Sequence, residues 1–172
     1  MKKQFLLMTL IGLVIGASCG SDDNDDGTDE TAGLEPSVVT ELLDNHNKYR
    51  SDVGIANLTW STELETSAQA WADELASNCD FQHSGSEFGE NIWLGTSGAF
   101  EPTQVVESWG SEIANYDYDN NSCTDGEVCG HYTQIVWENT TEVGCGVATC
   151  DGLDIWVCQY NPPGNFVGQK PY

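Results

Sequence analysis

The sequence predicts a disulfide-reinforced α/β domain, and three observations carry that reading. Apolar residues recur at helical spacing through the first two-thirds of the chain, in the stretches around Leu42, Leu64 and Val105. The last third reads as sheet, with Asp151-Gly152 set between two strand-like runs. Seven cysteines complete the pattern, and six of them fall between Cys79 and Cys158.

At the start of the chain, Lys2 and Lys3 precede Phe5–Ser18, an uncharged and mainly apolar run of 14 residues. At about 1.5 Å per residue, such a run is too short to span a hydrocarbon layer of about 30 Å. It fits the apolar region of a secretory signal over residues 1–18. Gly16-Ala17-Ser18-Cys19 resembles a bacterial lipobox, although Gly16 stands where leucine is usual. Cys19 is then the residue that export would lipidate, the alternative being an ordinary signal cleaved nearby; either way the mature chain leaves the cytoplasm. Ser21–Glu30 carries six acids in ten residues and no apolar side chain, so burial cannot offset its ordering entropy. Residues 19–34 therefore read as a lipidated cysteine and a disordered acidic tether, a solvated spacer rather than a calcium site. The acidic run also resembles the tags behind the lipidated cysteine of some surface-exported lipoproteins, which places the domain outside the cell.

Setting Cys19 aside leaves Cys79, Cys123, Cys129, Cys145, Cys150 and Cys158, an even set. In an exported chain such a set reads as a disulfide framework. Zinc ligation by these cysteines is the rival, but no Cys-x-x-Cys pair is present. The whole chain has a net charge of −23, and loss of Lys2 and Lys3 takes it to −25. So acidic a surface is repelled by nucleic-acid phosphates and by anionic lipid heads. Nucleic acid is excluded as a partner, and membrane contact is expected only through lipid on Cys19. Residues 35–172 are one domain's length with a single modest core, expected to be a monomer.

The spacing predicts a first helix from Ser37, with Val38, Val39, Leu42, Leu43, His46 and Tyr49 on one side and Gly54 as its stop. His46 lies on that apolar stripe and reads as a hydrogen-bonded structural histidine. Thr62 and Glu65 form a capping box for a second helix, whose stripe is Leu64, Ala68, Trp71 and Leu75. His83 and Glu90 then fall in a Gly- and Ser-rich loop leading to Ile92-Trp93, a shaped loop with two potential ligands or simply a solvated one. Pro102 opens a third helix with Val105, Trp109 and Ile113 as its stripe, and Glu112 borders the buried face. Asn115–Cys129 reads as loop.

Gly130–Trp137, GHYTQIVW, reads as a half-polar strand that alternates His131, Thr133, Ile135 and Trp137 against Tyr132, Gln134 and Val136. A histidine at the mouth of such a strand is most simply a core-edge residue with one hydrogen bond, and the same rigidity suits a functional group. Glu142–Thr149 and Leu153–Tyr160 flank Asp151-Gly152, a type I′ hairpin signal. That turn places Cys145 opposite Cys158 in a non-hydrogen-bonded pair, close enough for a disulfide. Cys150 is an odd number of positions away and faces the other side, free to reach Cys79, which leaves Cys123 and Cys129 to close a short loop.

HNKYR, GENIW, GHYTQIVW and IWVCQYNPPGNFVG, taken in order, resemble the four signature stretches of the CAP superfamily. That superfamily comprises cysteine-rich secretory proteins, insect venom allergens and the plant pathogenesis-related class 1 proteins. The likeness is greatest to the plant class and runs from Ser37 to Tyr172. It implies a three-layer α-β-α sandwich with a central antiparallel sheet. It also implies the bridges Cys79–Cys150, Cys123–Cys129 and Cys145–Cys158, in accord with the hairpin register. Family members carry two histidines and two glutamates on a cleft floor, which map to His83, Glu90, Glu112 and His131, with His46 outside the site. Two imidazoles and two carboxylates suit a divalent metal such as Zn2+ better than magnesium or calcium, which prefer more oxygens. Without metal, the same four residues can pair as a hydrogen-bonded network.

Three functional classes follow. The first is extracellular binding of a lipid, small molecule or protein partner, and it is the reading adopted. The second is a metal-dependent hydrolase with a glutamate as general base. Residues 35–172 carry no HExxH, no G-x-S-x-G and no cysteine left unpaired for a nucleophile. The third is a peptide precursor, because Pro162–Tyr172 resembles a tail that some plant relatives release; a structural wrap over the sheet is the simpler reading. Sterol binding in some relatives uses a loop with several aromatics, whereas Gly95–Thr103 has Phe100 alone.

Overall fold

The computed structural model describes residues 33–172; the predicted signal, Cys19 and the acidic run Ser21–Glu30 lie outside the described residues. Helix α1 runs Pro36–Asp52, with proline in its first turn, where a missing N–H costs nothing. Its stripe delivers Leu42, His46 and Arg50 to the interior. The short strand β1 (Thr59–Trp60) leads into α2 (Thr62–Asn78). The N-cap of α2 is Ser61, not Thr62: its hydroxyl accepts from the Leu64 N–H at 3.4 Å. Glu65 is used elsewhere, accepting from the Leu34 N–H at 2.8 Å and the Trp60 indole at 2.9 Å. Leu64, Ala68, Ala72 and Leu75 are buried, and Ala72 takes the place expected of Trp71, whose indole reaches out to the Gln82 carbonyl.

Strand β2 (Gly89–Thr96), helix α3 (Pro102–Gly110), a 3-10 turn (Ser111–Asn115) and a small hairpin of β3 (Tyr116–Asp117) and β4 (Ser122–Cys123) follow. Three expectations are corrected here. Glu90 stands on a strand rather than in a loop. Ile113 is 47 % exposed rather than core, because the chain tightens after Gly110 and turns that side chain outward. The stretch Asn115–Cys129 is not wholly loop.

The largest correction is Gly130–Trp137, which is helical: α4 spans Gly130–Ile135. Tyr132, Ile135 and Val136 are fully buried, and three- and four-residue spacing brings them to one side where strand alternation would have split them. The β-branched residues favoured a strand, and packing against α1 and α3 overrides that preference.

Strands β5 (Glu142–Cys150) and β6 (Leu153–Asn161) form the predicted hairpin, with Asp151 and Gly152 both at positive φ (49° and 78°), as a type I′ turn requires. The sheet order is β1-β5-β6-β2. It is mixed rather than wholly antiparallel, because β1 runs parallel to β5 as the chain passes from α1 into α2. Cys145 faces Cys158 with Cα atoms 4.1 Å apart, the close spacing of a non-hydrogen-bonded pair. The bridges are Cys79–Cys150, Cys123–Cys129 and Cys145–Cys158.

Helix α2 covers one sheet face at very short range. A Cβ on Gly144 would run into the Glu65 backbone nitrogen, and one on Gly146 into Gln69 Cα. Ala68, Ala72 and Leu75 meet Ile92, Ile155 and Val157 in this layer. On the other face α1, α3 and α4 bury Leu42, Val105, Trp109 and Tyr132 against Val143, Cys158 and Tyr160. The tail after β6 wraps α4 and the β3–β4 hairpin rather than the sheet: Gly164 N–H donates to Gln134 Oε1 at 3.2 Å, and Asn121 donates to the Gln169 carbonyl at 3.0 Å.

Candidate functional site

The first four backbone N–H groups of a helix have no intrahelical acceptor, and α4 is only six residues long, so most of its donors need partners from outside. Glu112, on the 3-10 turn after α3, supplies one. Its Oε2 accepts from the His131 N–H at 2.9 Å and the Tyr132 N–H at 3.1 Å. Its Oε1 lies 2.6 Å from His131 Nδ1. One carboxylate thus starts the helix and fixes the imidazole that the helix presents. Trp109 stacks on the His131 ring, with centroids 6.3 Å apart and planes 21° from parallel.

A second pair is built from β2 and the loop before it. Glu90 Oε1 accepts from the Ser84 N–H at 2.9 Å and lies 2.9 Å from His83 Nδ1. Its Oε2 accepts from Gln159 Nε2 at 3.1 Å. Glu90 is nearly enclosed, with a side chain 5 % exposed, whereas the His83 side chain is 60 % exposed. The next residue of β2 serves the first pair: Asn91 Nδ2 donates to the His131 carbonyl at 3.1 Å. Consecutive residues of one strand therefore steady both pairs.

All four predicted residues fall into this arrangement, as two His–Glu pairs rather than a closed cage of four ligands. Among the described residues, the one group of three ligand-type atoms mutually within 4.8 Å is Cys79, Cys150 and Asp151, and its two sulfurs are already joined. An ionised carboxylate only accepts hydrogen bonds, so it fixes the ring proton on Nδ1 in both histidines. In the neutral ring, Nε2 then keeps its lone pair. An imidazole oriented through Nδ1 by a carboxylate and free at Nε2 is the arrangement of a metal-ligating histidine. The donor chemistry of these residues fits a divalent ion.

His46 stands apart, as expected from its place on the α1 stripe. It is fully buried; Nδ1 donates to the Leu42 carbonyl at 2.7 Å and Nε2 accepts from the Tyr160 hydroxyl at 2.9 Å. Asn91 donates to that hydroxyl at 3.1 Å, so one chain of hydrogen bonds runs from β2 through β6 into α1. Burial pushes the His46 pKa down to about 4, and the Tyr160 phenol upward.

Arg50 is the residue whose role the sequence reading missed. It is fully buried with no carboxylate partner among the described residues, and its guanidinium is satisfied by carbonyls: Ala56 at 2.7 Å, Ile135 at 3.0 Å, Trp137 at 2.8 Å and Thr140 at 2.9 Å. The Ile135 carbonyl ends α4, at the negative end of its dipole, and Trp137 lies two residues beyond. Burial lowers the Arg50 pKa to about 10, so it stays charged at neutral pH. The available signal is an arginine four residues after His46 on the same apolar stripe.

Comparisons with known proteins bear on the fold and the family. The chain is 39% identical to pathogenesis-related protein 1A of Nicotiana tabacum over 171 residues, covering 98% of this chain and 94% of that protein. Among solved structures, Na-ASP-1 superposes with a TM-score of 0.69 at 26% identity over 86% of this chain, which spans 44% of Na-ASP-1's length. NaASP2, whose structure was determined with Zn2+, gives a TM-score of 0.66 at 25% identity, over 83% of this chain and 88% of that one. The family model described as the cysteine-rich secretory protein family, CAP, matches residues 43–160, from the middle of α1 to the end of β6. On that family match, that plant relative and its three-layer α/β architecture, the chain belongs to the CAP family, in the company of the plant pathogenesis-related class 1 proteins.

Proposed function

We propose that this protein is exported and acts outside the cell by binding, with a divalent metal, most suitably zinc, held at its His/Glu cleft. One observation carries the metal reading: each histidine has Nδ1 engaged by a carboxylate, at 2.9 Å for His83 and 2.6 Å for His131. That leaves both Nε2 atoms as the ligating atoms, with Glu90 and Glu112 as orienting partners or, on side-chain rotation, as further ligands. The relative solved with Zn2+ supports the choice of ion. The metal would supply a fixed positive charge on a surface otherwise dominated by carboxylates, and with it a point of attachment for a lipid, small-molecule or protein partner.

Calorimetric titration with ZnCl2 tests this. His131→Ala and His83→Ala are each expected to lower zinc affinity at least tenfold, while His46→Ala lowers stability and leaves zinc affinity nearly intact. Equal affinity in wild type and His131→Ala would return the four residues to a metal-free polar network. Cys19 is proposed as a lipid attachment point, on the strength of the small-residue run before it and the odd cysteine count. A Cys19→Ala chain should leave the membrane fraction while still folding; unchanged membrane association would exclude the anchor.

A further inference from the structure

We propose that a second site, separate from the His/Glu cleft, binds an uncharged saccharide. It is a groove of about 320 Å³ between the C-terminal tail, the β3–β4 hairpin and one side of α4 with the residues that flank it. This volume is at the small end of the range for ligand pockets, about 300–1,000 Å³. Its lining contains no charged side chain, although the chain has 28 acidic residues. The lining combines amides and hydroxyls with aromatic rings.

Three polar groups on its walls, from three separate segments, have no side-chain hydrogen-bond partner among the described residues. They are the Ser122 hydroxyl, the Gln169 amide and the Trp137 indole N–H. Trp137 is the most telling, because it is only 3 % exposed. Gln159 Oε1 is the one fully enclosed unpartnered side-chain atom among the described residues, so the Trp137 N–H keeps access to solvent and can donate to a partner there. Beside it Phe166 packs edge-on at 5.9 Å and remains 51 % exposed, presenting an aromatic surface. Asn165 and Asn121 hold the walls in place. Asn165 bridges the Gly130 carbonyl at 2.8 Å and the Thr133 hydroxyl at 2.6 Å, and Asn121 accepts from the Tyr116 hydroxyl at 2.7 Å.

The chemistry selects the ligand class. An anion would meet the repulsion of an acidic molecule with no cationic side chain in the groove. A cation would find no carboxylate there to pair with. An alkyl chain would strand the free hydroxyl, amide and indole groups away from water. A neutral sugar offers hydroxyls that donate and accept to these groups, and C–H faces that pack on an aromatic ring. None of this depends on the metal reading, since no His/Glu residue lines the groove.

The test is a 1H–15N NMR titration of the full exported chain with cellotetraose, with N-acetylchitotetraose and, separately, with lauric acid. Saturable shifts of the Trp137 indole and Gln169 side-chain peaks are expected with at least one sugar. Phe166→Ala, at an exposed position that does not endanger folding, is expected to weaken that binding roughly three- to tenfold. Absence of saturable shifts with both sugars overturns the proposal. So does sugar binding unchanged by Phe166→Ala, or a saturable response to lauric acid alone.

Discussion

Burial holds the His46 pKa at about 4 rather than 6.5, and the Leu42 carbonyl bound to its N–H, which favours the charged ring, does not compensate. Arg50 on the same helix adds to the depression. The unfolded chain takes up this proton as the pH falls through 6.5, while the folded protein refuses it until about 4. His46 therefore withdraws stability as the pH drops through that window, by about 3 kcal/mol in all. Urea unfolding at pH 7 and pH 4 should show this difference between wild type and His46→Gln. The variant starts less stable at pH 7, having lost the fitted imidazole, but loses less on acidification. An identical acid-dependent loss in both proteins would show that other groups account for it. His46 is legible from its place on an apolar stripe. Arg50, one turn on, shares that stripe, but its role is not legible, because its partners are backbone carbonyls of residues 56 and 135–140, and main-chain oxygens carry no sequence signature.

Helix α4 is where local pattern and final structure part. GHYTQIVW alternates well enough to predict a strand, and its β-branched residues agree. What makes it a helix lies elsewhere in the chain: the Glu112 carboxylate at its first N–H groups and the Arg50 guanidinium at the carbonyl of its last residue, Ile135, and of Trp137 just beyond. Six residues are too few to be helical alone. Glu112→Ala is accordingly expected to destabilise the protein by about 1–2 kcal/mol through loss of the cap. Amide hydrogen exchange at His131 and Tyr132 should accelerate in the variant, beyond any change at the amides of β6. Unchanged protection at those two amides would mean that packing alone holds the helix. The β5–β6 hairpin presents the opposite case. Its register follows from two turn residues, so the Cys145–Cys158 bridge can be derived without any long-range information.

For the whole molecule the dominant fact is charge. The chain has 28 acidic and five basic residues, and among the described residues the cations are Lys48, Arg50 and Lys170. Arg50 is fully enclosed, and Lys170 lies 4.1 Å over the Tyr118 ring, so little positive charge faces the surrounding carboxylates. Folding therefore works against self-repulsion that salt screens within about 10 Å at 0.1 M. Raising NaCl from about 20 mM to 0.5 M is expected to add about 1 kcal/mol, or roughly 3–5 °C in Tm. A flat or falling Tm would show that the acids are spaced widely enough not to interact. Composition alone makes this property legible. The layered fold and the His/Glu set follow from motif resemblance. Their division into two His–Glu pairs does not, because it depends on which carboxylate meets which ring and amide in three dimensions.

The short range between α2 and β5 allows a contact that bears on how this molecule meets others of its kind. Strand β1 pairs with β5 only at Glu142 and Val143, which leaves the rest of that edge without a neighbouring strand among the described residues. At Val147 the Gln69 side chain takes the place of one: its Oε1 accepts from the Val147 N–H at 3.0 Å, and its Nε2 donates to the Val147 carbonyl at 2.9 Å. A primary amide has the same donor and acceptor as a peptide unit, so the edge is blocked halfway along by an imitation of the next strand. A strand arriving from a second molecule would have to displace that amide first, and the sheet is guarded against growing from chain to chain along this side.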